Sequence, residues 1–93
     1  MIFKEFDFVV VGCGITGITI ARTLAEKNIR VLIVEERGHI GGNCYDEYDD
    51  HHLLVHKYGP HIFHTNHEEV WDFLSKFTKW NVFFLQVKAF VDG

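Results

Sequence analysis

The stretch from Phe8 to Glu36, FVVVGCGITGITIARTLAEKNIRVLIVEE, constrains what this chain can fold into more than any other. Phe8 to Val11 is a short apolar run bounded by glycine, which suits a parallel strand buried on both faces. Gly12, Gly14 and Gly17 follow at once, and each has a physical task. Gly12 permits a tight turn out of the strand, Gly14 admits backbone N–H groups close to a pyrophosphate, and Gly17 lets a helix lie against the strand. The pattern predicts that helix over Ile15 to Lys27, with Ile20 and Leu24 one turn apart and Ala21 and Ala25 as a slim face. Its N-terminus carries partial positive charge, where a diphosphate is stabilised. Asn28 tolerates the left-handed conformation that stops a helix, and Arg30 to Val34 reads as a second strand. Glu35 then stands 18 residues beyond Gly17, near the roughly 20-residue spacing at which a carboxylate meets ribose hydroxyls. Glycine triplets also occur in ordinary turns, so the agreement of strand, helix and acid carries the reading. The stretch is a nucleotide-binding βαβ unit of the α/β, Rossmann-like class. Glu35, or Glu36 in its place, favours a free 2′-hydroxyl, as in FAD or NAD, over a 2′-phosphate.

A doubly wound sheet normally has more strands than 93 residues supply, so the expectation is an incomplete domain over 1–93. The net charge of −4 and the lack of a Lys/Arg cluster argue against nucleic acid as a partner. The longest uncharged stretch, Phe8 to Ala21, holds three glycines and is too short and polar to span a bilayer. Glu5 and Asp7 speak against a secretory leader. Cys13 and Cys44 form no C-x-x-C motif and read as reduced thiols of a cytoplasmic protein.

Arg37 to Tyr45, RGHIGGNCY, is expected as a loop whose Gly41-Gly42 pair passes close to a cofactor, with Asn43 offering its amide to a phosphate or sugar. A turn merely capped by the asparagine is the bland alternative. The acids of Asp46 to Asp50 read as a solvated loop rather than a catalytic pair. Leu53 to Tyr58 has the character of a short strand entering a turn at Gly59-Pro60. Val55 to Asn66, VHKYGPHIFHTN, carries His56, His61 and His64, with His67 nearby. The spacing is poor for zinc, because residues three apart on a strand point to opposite faces. Structural histidines or a histidine against a cofactor ring are the other readings, and no metal is expected. Asn66 as N-cap with Glu69 at the third helical position predicts a second helix. Val70, Leu74 and Phe77, extended by Trp71, form a stripe expected to be core. Asn81 to Val91 reads as a strand ending in a hairpin turn at Asp92-Gly93.

These segments together carry a family resemblance. VGCGITG, Glu35, RGHIGGNCYDEYD and above all VHKYGPHIFHTNHEEVWDFL resemble the N-terminal end of the UDP-galactopyranose mutase family, over essentially the whole chain. The first two motifs are shared with flavin amine oxidases and desaturases, which usually carry an arginine where Asn43 stands. The histidine segment is narrower and decides the resemblance. It implies an FAD enzyme that interconverts UDP-galactopyranose and UDP-galactofuranose for cell-surface polysaccharide. The flavin works reduced, and its N5 forms an adduct with the sugar as UDP leaves. By the same resemblance Gly12, Gly14, Thr16 and Gly17 hold the FAD diphosphate, and Glu35 the adenosine ribose. Gly42 and Asn43 line the cofactor, and His61 and Ile62 lie against the flavin.

The resemblance also implies what other parts of such a protein supply. The arginines and aromatics that hold UDP, and the substrate domain, lie in later sequence, so no residue here is a certain catalyst and His61 is the sole candidate. UDP-galactose is the implied substrate, and a homodimer the assembly to be tested. Cys13 and Cys44 replace smaller residues expected at their positions, and the run from Tyr48 to Leu53 lacks an expected glycine. A flavin oxidoreductase of the amine oxidase type and a non-enzymatic nucleotide-binding fragment are the competing classes.

Overall fold

The computed structural model describes residues 2–92. The chain divides into two compact units, the first ending at Ile62 and the second starting at Phe63.

In the first unit a 3₁₀ turn, Ile2–Glu5, leads into strand β1, Phe8–Val11. Helix α1 covers Ile15–Ala25, two residues short of the predicted end, and strand β2 covers Val31–Val34. β1 and β2 pair in parallel with Phe8 opposite Val31 and Val11 opposite Val34, the βαβ arrangement expected of the sequence. Asn28 sits at φ 60°, in the left-handed region, in the turn that follows the Glu26 C-cap of α1. At the open end of the pair Asp7 and Arg30 lock the register. The Arg30 guanidinium donates to both Asp7 oxygens at 3.0 and 3.2 Å, and the Arg30 backbone N–H adds a third bond at 3.0 Å.

The expectation of strands buried on both faces is not met. Phe8 is 51% and Val11 85% exposed, and among the described residues only Cys13 and Ala21 are buried apolar side chains. Among the described residues the sheet has two strands and α1 is the one helix of this unit packed on them, so no layer covers the opposite faces there.

A 3₁₀ turn, Gly42–Cys44, precedes an antiparallel hairpin of β3, Asp46–Tyr48, and β4, Leu54–His56. The expected acidic loop is thus partly strand. Its turn is held by Asp49, whose Oδ1 accepts the backbone N–H groups of His51 at 2.8 Å and Leu53 at 2.9 Å. His52 takes φ 61°, a left-handed conformation that glycine adopts without cost. The glycine missing from Tyr48 to Leu53 therefore has its structural counterpart at His52.

The second unit contains helix α2, Glu68–Ser75. Its N-cap is His67, not the predicted Asn66, and no side chain caps it. The chain is still extended at His67, whose N–H is taken by Thr65 Oγ1 at 3.1 Å and whose carbonyl accepts from Val70 and Trp71, so the helix starts later. Glu68 and Glu69 then fall in the first turn, where the helix dipole favours acids. The predicted core stripe is also revised, since Val70, Trp71 and Phe77 stay exposed. Trp71 instead joins Phe63 and Trp80 in a stacked aromatic group with centroids 4.8 to 6.1 Å apart. Trp80 Nε1–H donates to Ser75 Oγ at 2.7 Å, which ties the residues after α2 back onto it.

Residues 81–92 form no strand, contrary to the reading of Asn81 to Val91. Their composition is that of a strand, but a ladder requires a partner, and none stands beside them among the described residues. The predicted hairpin turn at Asp92-Gly93 includes Gly93, which lies outside the described residues. No helix among the described residues is long and apolar enough to cross a membrane.

Candidate functional site

The site begins at the turn between β1 and α1. Gly12 takes φ 100° and its N–H donates to the Val34 carbonyl at 2.7 Å, which ends the parallel ladder and turns the chain outward. A Cβ on Gly17 would stand 2.1 Å from the Gly12 carbonyl oxygen, so only glycine lets α1 start this close to the strand. Gly14, the α1 N-cap, differs from both. Its φ of −78° suits any residue, and an added Cβ would meet nothing nearer than Gly42 Cα at 3.9 Å. The chain's own packing does not demand glycine there, and the space a side chain would fill is left open at the helix N-terminus. The first turn of α1 contains no acid, and its leading N–H groups have no intrahelical acceptor. Thr16 sits exposed in that turn. This is a cradle suited to an anion such as a diphosphate.

Glu35 follows β2 and folds back over the same turn. One carboxylate oxygen accepts the Cys13 N–H and the other the Arg37 N–H at 3.0 Å. The Arg37 and Cys13 backbone donors hold the Glu35 carboxyl below the usual carboxylate range. Glu36, the alternative acid, is exposed beside it.

The glycine pair of the second loop docks onto the first. Gly41 at φ 98° donates to the Cys13 carbonyl at 2.8 Å, and a Cβ on Gly42, at φ 59°, would stand 2.9 Å from Gly14 Cα. The sequence reading expected these glycines beside a cofactor; the geometry shows that Gly42 lets two backbones touch. Asn43 is exposed, with its amide oxygen accepting from Arg37 Nη1 at 3.0 Å, which leaves the amide N–H₂ as its remaining polar group.

Composition gave no hint of the aromatic ladder that fastens this loop to the hairpin. His39 stacks on Tyr45 with centroids 3.8 Å apart, and the Arg37 guanidinium lies 4.3 Å over the Tyr58 ring. His39 Nδ1 donates to the Ile40 carbonyl at 2.9 Å, and Nε2 shares a hydrogen bond with the Tyr58 hydroxyl at 2.6 Å.

The histidines divide. His56 lies directly opposite Asp46 in the β3–β4 register, on one face of the hairpin. Gly59 at φ 102° reverses the chain and brings His61 back, so that its ring stacks on His56 at 3.9 Å and its N–H reaches His56 Nδ1 at 3.1 Å. Asp46, His56 and His61 are the one group of metal-ligating side chains gathered among the described residues, with ligand atoms within 4.8 Å. His64 and His67 are not in it. The alternation Asp46, Tyr48 was the signal that could have revealed Asp46, had the hairpin been recognised. Ile62 is 41% exposed beside His61.

Comparison with known proteins agrees with this geometry. A family model for an NAD(P)-binding Rossmann-like domain matches residues 10–77. The chain is 57% identical over 79 residues to UDP-galactopyranose mutase of Mycoplasma genitalium, covering 84% of this chain and 20% of that one. It is 51% identical over 85 residues to dTDP-fucopyranose mutase of Escherichia coli, covering 90% and 22%. It is 44% identical over 88 residues to a probable UDP-galactopyranose mutase of Klebsiella pneumoniae, covering 94% and 23%. The chain spans about a fifth of the length of these curated relatives. With a parallel β1–β2 pair, a crossover helix and a glycine turn at its N-terminus, the chain belongs to the NAD(P)-binding Rossmann-like domain family.

Proposed function

We propose that this chain is the N-terminal, FAD-binding portion of a UDP-galactopyranose mutase. The observation that carries the reading is the breadth of the similarity. A match that covers 84% of 93 residues must contain the middle of the chain, and so includes the HKYGPHIFHT segment as well as the second glycine loop. The open space at Gly14, beside Gly12, Thr16 and Gly17 at the α1 N-terminus, supports a diphosphate there. Glu35 takes the adenosine ribose, which requires its carboxylate to share or exchange the Cys13 and Arg37 N–H bonds for ribose hydroxyls. Gly42 and Asn43 line the cofactor where the two glycine loops meet, and His61 and Ile62 lie at the flavin ring. When bound and reduced, the flavin supplies the nucleophile for the anomeric carbon of UDP-galactopyranose. The chain's own residues bind and orient it. The enzyme so assembled is an isomerase, and a cytoplasmic location and a homodimer are part of the proposal.

Visible absorption after incubation with excess FAD and desalting tests the cofactor reading. Weak retention at most is expected of this chain alone, which spans about a fifth of its relatives' length; flavin bands that stay with the protein would make these residues a sufficient FAD site, and a colourless protein would mean that the site needs further strands. In the full-length protein, conversion of UDP-galactofuranose under reducing conditions with no net change in flavin redox state separates a mutase from an amine oxidase. The similarity to a dTDP-fucopyranose mutase makes dTDP-fucopyranose the second substrate to assay.

A further inference from the structure

Two side-chain atoms in the hairpin cluster are withdrawn from water and lack an aligned hydrogen-bond partner: Asp46 Oδ1 and His61 Nδ1. Oδ1 stands 3.0 Å from His61 Nε2 and 3.9 Å from His56 Nε2. A carboxylate oxygen only accepts. A bare imidazole lone pair 3.0 Å away would set negative charge against negative charge, so the His61 hydrogen belongs on Nε2. For His56 the same conclusion follows independently. Its Nδ1 accepts the His61 backbone N–H at 3.1 Å, so its hydrogen is on Nε2 as well.

Both rings thus carry hydrogen on the nitrogen nearer Asp46, without an aligned hydrogen bond to Oδ1, the reverse of a cation site, where neutral imidazoles offer lone pairs. The two ring planes lie within 16° of each other, so their in-plane nitrogens run side by side rather than converge. What remains without a partner in the chain is the His61 Nδ1 lone pair, and buried acceptors are ordinarily satisfied.

We propose that Asp46 is a positioning residue for His61: the negative charge of its carboxylate, 3.0 Å from Nε2, keeps the hydrogen of the neutral imidazole on that nitrogen and leaves Nδ1 as an acceptor for an N–H or O–H group of the bound ligand. The inference rests on the placement of His61 at the flavin. An isoalloxazine ring carries N–H donors, and more of them when reduced than when oxidised.

Long-range ¹H–¹⁵N correlation of the histidine rings tests this on the ¹⁵N-histidine-labelled chain, at a pH where imidazole is neutral, with His56→Gln and His61→Gln assigning the signals. The expected result is a single Nε2–H pattern for His61 that survives His56→Gln. In Asp46→Asn, whose amide can donate to Nε2, and in Asp46→Ala, a second population with hydrogen on Nδ1 should appear while the β3–β4 amide signals persist. An Nδ1–H pattern in the parent chain overturns the proposal without recourse to any variant. So does an unchanged His61 pattern in both Asp46 variants, or stoichiometric Zn²⁺ that moves both ring signals. The readout is independent of flavin. The Nε2–H pattern without FAD binding faults the placement of His61 at the flavin and supports the role of Asp46, whereas FAD binding without the pattern removes that role.

Discussion

At the scale of single residues, the glycine turn separates glycines that the fold requires from one that it does not. Gly17 and Gly42 are glycines for the protein's own sake, because a Cβ at either would press on backbone at 2.1 and 2.9 Å. Gly17→Ala should therefore destabilise the chain by about 1 to 3 kcal/mol, as overpacked positions do, read as a lower urea midpoint. Gly14 has an ordinary φ and free space, so Gly14→Ala should change stability by less than about 0.5 kcal/mol. A valine there would still abolish FAD retention, since its side chain occupies the proposed pyrophosphate path. Flavin retained in full by Gly14→Val, in any flavin-binding form of the protein, would place the diphosphate elsewhere. The turn at Gly12 and the close approach of α1 at Gly17 were legible in the sequence, because a rigid motif leaves its spacing in the residues. The docking of Gly42 on Gly14 was not, since loop-on-loop contact has no period. Asp46 was missed for a related reason: its neighbours in space, His56 and His61, become neighbours only once the hairpin register and the Gly59 turn are known.

Elements differ in how well their ends are secured. The β1–β2 pair is locked by Asp7 and Arg30, and the Arg30 guanidinium and backbone N–H hold the Asp7 carboxyl below the usual carboxylate range. Because the folded state depresses this group, its contribution is present above the unfolded pKa and is lost as pH falls through the folded one. Asp7→Asn should accordingly flatten the acid limb of a stability-against-pH curve and leave its shape near neutrality unchanged. Both side chains are exposed, so the effect is small and shrinks with added salt. An acid limb that stays as steep in Asp7→Asn would mean that the clamp does not form in solution. The hairpin depends on its tip instead. Asp49→Ala forfeits two backbone donors and should cost about 1 kcal/mol, whereas His52→Gly relieves a left-handed side chain and should be neutral or stabilising by up to about 1 kcal/mol. Thermal unfolding of the two variants should move in opposite directions. The hairpin itself was half legible: β4 was read from its apolar residues, but β3, written in acids and tyrosine, carried no strand signature.

For the molecule as a whole, secondary-structure type was legible where local periodicity decides it, and burial was not, because burial depends on what lies alongside. The valines of β1 and the phenylalanines of 81–92 have core composition, yet Val11 is 85%, Phe84 83% and Phe90 93% exposed. Among the described residues nothing pairs with 81–92, whose apolar side chains and unladdered backbone resemble an edge awaiting a neighbour. Burial of one such phenylalanine is worth roughly 1.5 to 3 kcal/mol, so two or three of them engaged between copies outweigh the benefit of leaving the segment solvated. The isolated chain should therefore associate as concentration rises, seen as an increase in weight-average mass by sedimentation. Phe84→Lys combined with Phe90→Lys should shift that association to higher concentration and leave the βαβ unit, which ends before Phe63, with unchanged FAD retention. If the double variant associated as readily as the parent, the contact would lie on the uncovered faces of β1 and β2, and Val11→Lys would then be the substitution that disperses it.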